Sequence, residues 1–356
     1  MTSSKSSGAP PRTTKRPNNF DGIRLLAALA VLVGHGFILT DVHPVPALAG
    51  IPIDTLAVSV FFVVSGYLIT GSWQNIRNAR VFIRHRFLRI FPALWVVVLV
   101  TIFVIGPLCT TLSVAKYFQS STTWTYLLNL VTLAQYSLPG VFEDSAHARS
   151  AVNGSLWTLG VELSCYIAVL ILGVAMRRRM WVGFIGMALV GLAAYFLTVG
   201  NASLQGFEDA GPEVVFFALG ALGRLVVPRP ALRPTIAIAV LVVWLILVWI
   251  WPVAKLELEW IALPYCVLSL ALTPIPVLRR AARFGDFSYG TYLWAFVLQQ
   301  VELGVLGRIP IWSNIAIILV CTLCVAFASW HLIEKPSLAR KDTALFARAR
   351  VVDKPA

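Results

Sequence analysis

The sequence predicts an all-α polytopic membrane protein of about ten transmembrane helices, and composition, run length and charge placement each point that way. Residues of the set AVILMFWYC fill 58% of the 356 positions, and Asp, Glu, Lys and Arg only 13%; soluble domains run nearer half and a quarter. The mean hydropathy is +0.80. Such a chain lacks the polar surface to cover itself in water, whereas the hydrocarbon core of a bilayer accepts it.

Apolar runs of membrane-crossing length lie near 24–41, 54–73, 92–110, 156–176, 181–199, 213–227, 235–252, 258–274, 288–304 and 312–332. Gly and Pro interrupt several of them, which membrane helices tolerate. The stretch 124–138, WTYLLNLVTLAQYSL, is too short and polar for a span, and counting it would invert every later loop. It reads as a candidate re-entrant segment. Residues 1–19, rich in Ser, Pro, Thr and Lys, lack the apolar stretch of a secretory signal and read as a disordered cytoplasmic tail. Residues 20–334 form the transmembrane domain, and 335–356 a basic tail.

Lys and Arg orient the chain. Alternate loops are strongly basic: Arg77 to Arg89 after the second span, Arg177–Arg179, then Arg224 to Arg233, then Arg279 to Arg283, besides both tails. These places hold twenty-four basic residues, against Lys116, Arg149, Lys255 and Arg308 in the intervening loops. The basic side is read as cytoplasmic, with both termini there. The net charge of +13 is thereby topology, and no nucleic-acid partner is expected. The five cysteines suggest no disulfide framework, and Cys321-x-x-Cys324 has no second ligand pair for a metal.

Ionisable residues inside spans are costly and are therefore the first functional candidates. Arg24 and His35 share the first span; eleven residues apart, they face one side, about 16 Å apart along the axis. His35 is flanked by Gly34 and Gly36, which admit a ligand or another backbone. Glu162, the carboxylate embedded in the fourth span, is expected in the external third at the depth of His35, as its orienting partner. Arg86 and Arg89, in FIRHRFLRIFP, share a helix face. Taken alone they read as anchors for anionic lipid headgroups, with a phosphate-bearing ligand as the alternative. Ser65-Gly66 reads first as a helix-packing pair, and Trp157 as either an interfacial belt residue or a wall of a sugar cleft. No G-x-S-x-G, H-E-x-x-H or Walker loop is present. A histidine without a matched nucleophile suits base catalysis on a substrate that is already activated, such as a thioester.

The segments NNFDGIRLLAALAVLVGHGF, SVFFVVSGYLIT, RHRFLRIFPALW, NGSLWTLGVELSCY, FGDFSYGTYLWAF and HLIEKPS together resemble the integral-membrane acyltransferase family 3, bacterial enzymes that O-acylate sugars. The resemblance runs from about residue 18 to 340. It implies transfer of an acyl group, acetyl by family frequency, from cytoplasmic acyl-CoA to a hydroxyl of a glycan or glycolipid in the bacterial inner membrane, with no bound cofactor or metal. By position Arg24 matches the arginine, and His35 the essential histidine, of the first helix. Arg86 and Arg89 match the R-x-x-R motif tied to donor handling, and Glu162 the glutamate of W-x-L-x-x-E. Ser65, Gly66, Trp157 and Tyr292 complete the candidate binding residues. Many members have a histidine after the YLW segment; here Ala295 follows Trp294, with Gln299 and Gln300 a turn later. The expected mechanism is direct transfer with His35 as general base, and a covalent acyl-histidine intermediate is the competing chemistry. The rival expectation is a transporter or flippase in which His35 and Glu162 relay protons.

Overall fold

A computed structural model describes residues 19–143, 150–199, 205–281 and 285–341; the tail readings for 1–18 and 342–356 lie outside them. Ten helices of at least 17 residues follow one another among the described residues: α1 (Phe20–Leu39), α2 (Ile53–Ile76), α3 (Ala79–Val100), α4 (Trp157–Ala175), α5 (Met180–Thr198), α6 (Gln205–Leu225), α7 (Pro234–Ile250), α8 (Lys255–Leu272), α9 (Ser288–Leu306) and α10 (Ile311–Ser329). Each overlaps one of the apolar runs. Six helical stretches, those of α1–α5 and α10, are long and apolar enough to cross a membrane. The other four are shorter or carry polar residues that turn inward, such as Glu213 in α6, Glu259 in α8 and Gln299 in α9, all buried. Large apolar side chains stand on the outside, including Leu108, Val190, Trp249, Ile261 and Leu332, as lipid contact requires.

Three departures from the sequence reading have local causes. Asn19, assigned to the disordered tail, is buried, and its side-chain amide donates to the carbonyls of Leu270 (2.8 Å) and Thr273. It ties the start of α1 to the end of α8. At the other end, α10 passes through a π-turn at Trp330–Glu334 and continues as helix to Lys341, so the basic tail starts later than residue 335. Finally, α3 begins at Ala79, where the Asn78 side chain accepts from the Val81 amide, and not near 92. The basic RHRFLR segment is therefore the first half of a helix that continues to Cys109.

Glycines set the closest helix contacts. At Gly66 a side chain would collide with the Phe217 carbonyl of α6, and at Gly220 of α6 with the Val63 carbonyl of α2. The two backbones touch at both points, which only glycine permits. A short hairpin, β1 (Ala47–Leu48) and β2 (Ile51–Pro52), links α1 to α2. Its two turn residues, Ala49 and Gly50, both have positive φ (53° and 69°), the backbone of a tight two-residue hairpin.

The 124–138 segment forms a helical turn at Ser121–Thr125, a 3-10 stretch at Tyr126–Val131, and then an irregular run. Asn129 holds it by bonds to Tyr126 and Gln135. It packs between the middle of α3, where Trp95 donates to the Leu130 carbonyl (3.0 Å), and the start of α4, where Gly160 abuts the Thr132 carbonyl. The chain between α3 and α4 thus enters the bundle.

Candidate active site

The antiparallel pair α1 and α2 sorts the candidate residues into two levels. Gly34, beside His35, lies directly against the Asp54 side chain, while Arg24 and Ser65 line one cleft. Arg24 to His35 and Asp54 to Ser65 are both eleven residues, so the levels are about 16 Å apart.

The inner level is a narrow cleft walled by Arg24, Phe61, Ser65, Glu162, Tyr289 and Tyr292, among others, with about 40 Å³ of free space, room for a few waters. Glu162 accepts hydrogen bonds from Ser65 Oγ (3.0 Å) and from the Tyr166 hydroxyl. The Tyr292 hydroxyl donates to the Ser155 carbonyl (3.0 Å) and shares a 2.5 Å bond with the Thr158 hydroxyl, pinning the start of α4 to α9. Asn153 does the same through the Leu293 carbonyl (2.9 Å). Behind the cleft, Asp286 receives Arg24 at 3.1 Å and Arg89 at 2.5 Å. Arg89 also reaches Glu334 at 3.7 Å, and Glu334 is held by Ser329 Oγ at 3.1 Å. Burial by itself would raise the Asp286 carboxyl; Arg89 and Arg24, with the Ser288 hydroxyl, instead hold it well below the usual carboxylate range. Arg86 makes no ion pair among the described residues; its guanidinium lies 5.8 Å from the ring centres of both Phe82 and Tyr166.

The outer level is built around His35. Its ring stands edge-on to Phe296 at 5.1 Å. Asp54, in the first turn of α2 where the helix N-terminus favours a carboxylate, lies against Gly34, the chain neighbour of His35. Gly36 opens onto Gln299, Asn314 and Ile315. Gln299 donates to the Leu32 carbonyl (2.8 Å), and Asn314 donates to Glu302. His35 Nδ1, Asp54 Oδ1, Gln299 Oε1, Asn314 Oδ1 and Glu302 Oε1 are all buried without a protein partner. Such atoms are rare in a finished interior, and a ligand or bound water satisfies them.

Several expectations change as a result. Glu162 is not at the depth of His35. Because the chain has already descended into the bundle before α4 starts, the sixth residue of that helix sits at the level of Arg24, and Asp54 takes the place beside His35. Gly66 faces α6 and serves packing, not ligand contact, whereas Ser65 lines the cleft. Trp157 is half-buried and stands outside the cleft walls. Arg24 and Arg89 are neutralised by Asp286 and Glu334, leaving Arg86 as the unpaired arginine of the three. Asp286, Glu334 and Asp54 were legible only as carboxylates in FGDFSYG, HLIEKPS and the start of the second span. The signal that could have found the first two is that an embedded arginine requires a counter-ion.

No solved structure matches the chain. An O-acetyl transferase of Shigella phage Sf6 is 29% identical over 93% of this chain and 98% of its own length. Nodulation protein 10 of Rhizobium leguminosarum bv. viciae is 28% identical over 93% and 95%. The acyltransferase MdmB of Streptomyces mycarofaciens is 29% identical over 48% of this chain and 44% of its own. The acyltransferase domain profile of family 3 matches residues 18–331, so the stretch from the start of α1 to the π-turn behind Arg89 is one acyltransferase domain. The chain belongs to the membrane acyltransferase family 3 and is an O-acyltransferase.

Proposed function

We propose that the protein moves an acetyl group from acyl-CoA, supplied at the basic, cytoplasmic face, to a hydroxyl of a glycan or glycolipid at the opposite face of the bacterial inner membrane. In this reading the ten long helices all cross the bilayer. The observation that carries the reading is the two-level arrangement: an inner cleft lined by Arg24, with Arg89 behind it, and about 16 Å above it a half-buried histidine near a carboxylate among unpartnered polar atoms.

Arg86 takes a phosphate of the donor, and the donor's arm runs up between α1 and α2 to the outer level. The acceptor hydroxyl sits between His35 and the thioester carbonyl, its neighbouring hydroxyls satisfied by Gln299, Asn314 and Glu302. His35 removes the hydroxyl proton as the oxygen attacks the carbonyl carbon. Collapse of the tetrahedral adduct expels the thiolate, which takes the proton back from the imidazolium, so one ester forms, one thioester breaks and no net proton is released. Asp54 stabilises the imidazolium while it exists. Glu162, tied to Ser65 and Tyr166, shapes the inner cleft. A proton relay from His35 to Glu162, the basis of a transporter reading, has no geometric support across this separation. The acetyl assignment follows the name of the phage relative.

The test compares wild type with His35→Ala at matched membrane expression. Acceptor-dependent release of free CoA and O-acetyl groups on surface glycans, read by mass spectrometry, should both disappear in the variant. Undiminished transfer by His35→Ala would overturn the mechanism.

A further inference from the structure

A second cavity takes no part in this chemistry. It has about 860 Å³ of free space at the basic end of the bundle, between the end of α2 and the α4–α5 connection, and its lining includes Trp73, Arg77, Arg177, Arg178 and Trp181. Along α2, Arg77 lies twelve residues beyond Ser65, about 18 Å, and twice as far from His35. The cavity is thus a separate place.

Its charge is unbalanced. Three arginines line it, no Asp or Glu does, and none of the three makes an ion pair among the described residues. Arg77 bonds through Nε to the Gln74 carbonyl at 3.1 Å, and its two terminal nitrogens have no acceptor among the described residues. All three side chains are exposed, so their guanidinium forks are open to an anion arriving at the basic face. The backbone adds a second observation. Arg77 and Arg177 follow the ends of α2 and α4 with φ of 46° and 40°, the left-handed position at which glycine is the least costly residue. Arginine stands at both, from two different connections, and both line this cavity. The walls are built rather than incidental: Gly173 has no side chain because the Trp73 indole occupies that space, and Trp73 is locked edge-on to Phe82 at 5.5 Å.

We propose that this cavity is a phosphate-binding site, in which the forked guanidinium groups of Arg77, Arg177 and Arg178 grip phosphate oxygens and Trp73 and Trp181 flank the attached group. The phosphate belongs either to a soluble nucleotide or to an anionic phospholipid headgroup, since the cavity opens at the basic face.

The experiment uses the full chain in nanodiscs, and the variant Arg77→Gly/Arg177→Gly, which removes two side chains while relieving the backbone and leaving most of the charge asymmetry. In one arm, adenosine 3′,5′-bisphosphate is titrated into protein in phosphatidylcholine discs. In the other, native mass spectrometry counts phosphatidylglycerol retained from mixed discs. A site for soluble phosphate shows bisphosphate binding that weakens about tenfold or more in the variant. A headgroup site shows retained phosphatidylglycerol that falls in the variant, with bisphosphate inert. If neither probe distinguishes wild type from the variant, the proposal is overturned. Should the glycine variant not purify as a monodisperse species, Arg77→Lys/Arg177→Lys keeps the charge, loses the fork, and is read in the same two arms. Transfer activity is not the readout, so the outcome is independent of the acyl-transfer mechanism.

Discussion

Asp286→Asn tests the electrostatic frame of the inner level. The wild-type carboxylate joins Arg24 at 3.1 Å and Arg89 at 2.5 Å, with the three side chains 12–17% exposed. The amide keeps the shape but removes the charge, and two largely desolvated guanidinium groups then face each other across it. Removing one partner of a buried pair costs about 3–5 kcal/mol, most of it the burden of the charge left behind. Glu334, 3.7 Å from Arg89, offsets more of this for Arg89 than for Arg24. The net expectation is a loss near the lower end, roughly 3 kcal/mol, or about 4 °C in Tm. The assay is thermal unfolding of the full chain in detergent, followed by fluorescence-detected size exclusion. Arg24→Gln/Asp286→Asn, which deletes the stranded charge with its partner, should recover more than 1 kcal/mol of the loss, within the roughly 0.5–3 kcal/mol coupling of contacting residues. The pH dependence follows from the same pair. A carboxyl held below its unfolded value contributes stability that is complete above that value, about pH 4, and is lost as pH falls through the folded one. The wild-type advantage over Asp286→Asn should therefore be constant from neutral pH to about 5 and shrink below 4. A Tm for Asp286→Asn within about 2 °C of wild type, or strictly additive losses in the double variant, would refute this account of the inner level.

The remaining predictions concern the outer level and the packing. Asp54→Asn should lower kcat roughly 10²-fold or more while KM for the donor changes little, and should move the acidic limb of the kcat pH profile downward; an unchanged profile would make Asp54 structural. Gly34→Ala, which pushes a methyl into the Asp54 side chain, should reproduce that defect in folded protein, and full activity would show the contact to be dispensable. Glu162→Gln keeps the hydrogen-bonding shape offered to Ser65 and Tyr166; it should raise the donor KM several-fold more than it lowers kcat, and the reverse split would return Glu162 to the proton-transfer step. Gly66→Val collides with the Phe217 carbonyl and should abolish the monodisperse peak on size exclusion, whereas its recovery would deny the α2–α6 backbone contact.

Much of the architecture was readable because lipid imposes simple rules. Runs of about twenty apolar residues must be helices when no water is present to satisfy the backbone, and each run overlaps a long helix. The eleven-residue spacing placed Arg24 and His35 on one face of α1 from helical geometry alone, and the glycines around His35 marked a point of close approach. Sequence could not say which atoms approach there, because depth and partnership are tertiary quantities. Glu162 was placed too shallow: counting inward from the surface assumes that a helix starts at the surface, and α4 starts inside the bundle, where Asn153 and Tyr292 anchor it. Arg24 and Arg89 looked available to a ligand until the fold brought Asp286, from the start of α9, between them and Glu334, through the π-turn after α10, beside Arg89. A motif carries residue types in order along the chain, while the free energy of a buried charge depends on what lies within a few ångströms in space. By itself the sequence determined the class, the helices and the family. Only the tertiary structure decided that Asp54 lies against Gly34 beside His35, that two of the three arginines are already neutralised, and that three others line one cavity, because each depends on segments meeting from distant parts of the chain.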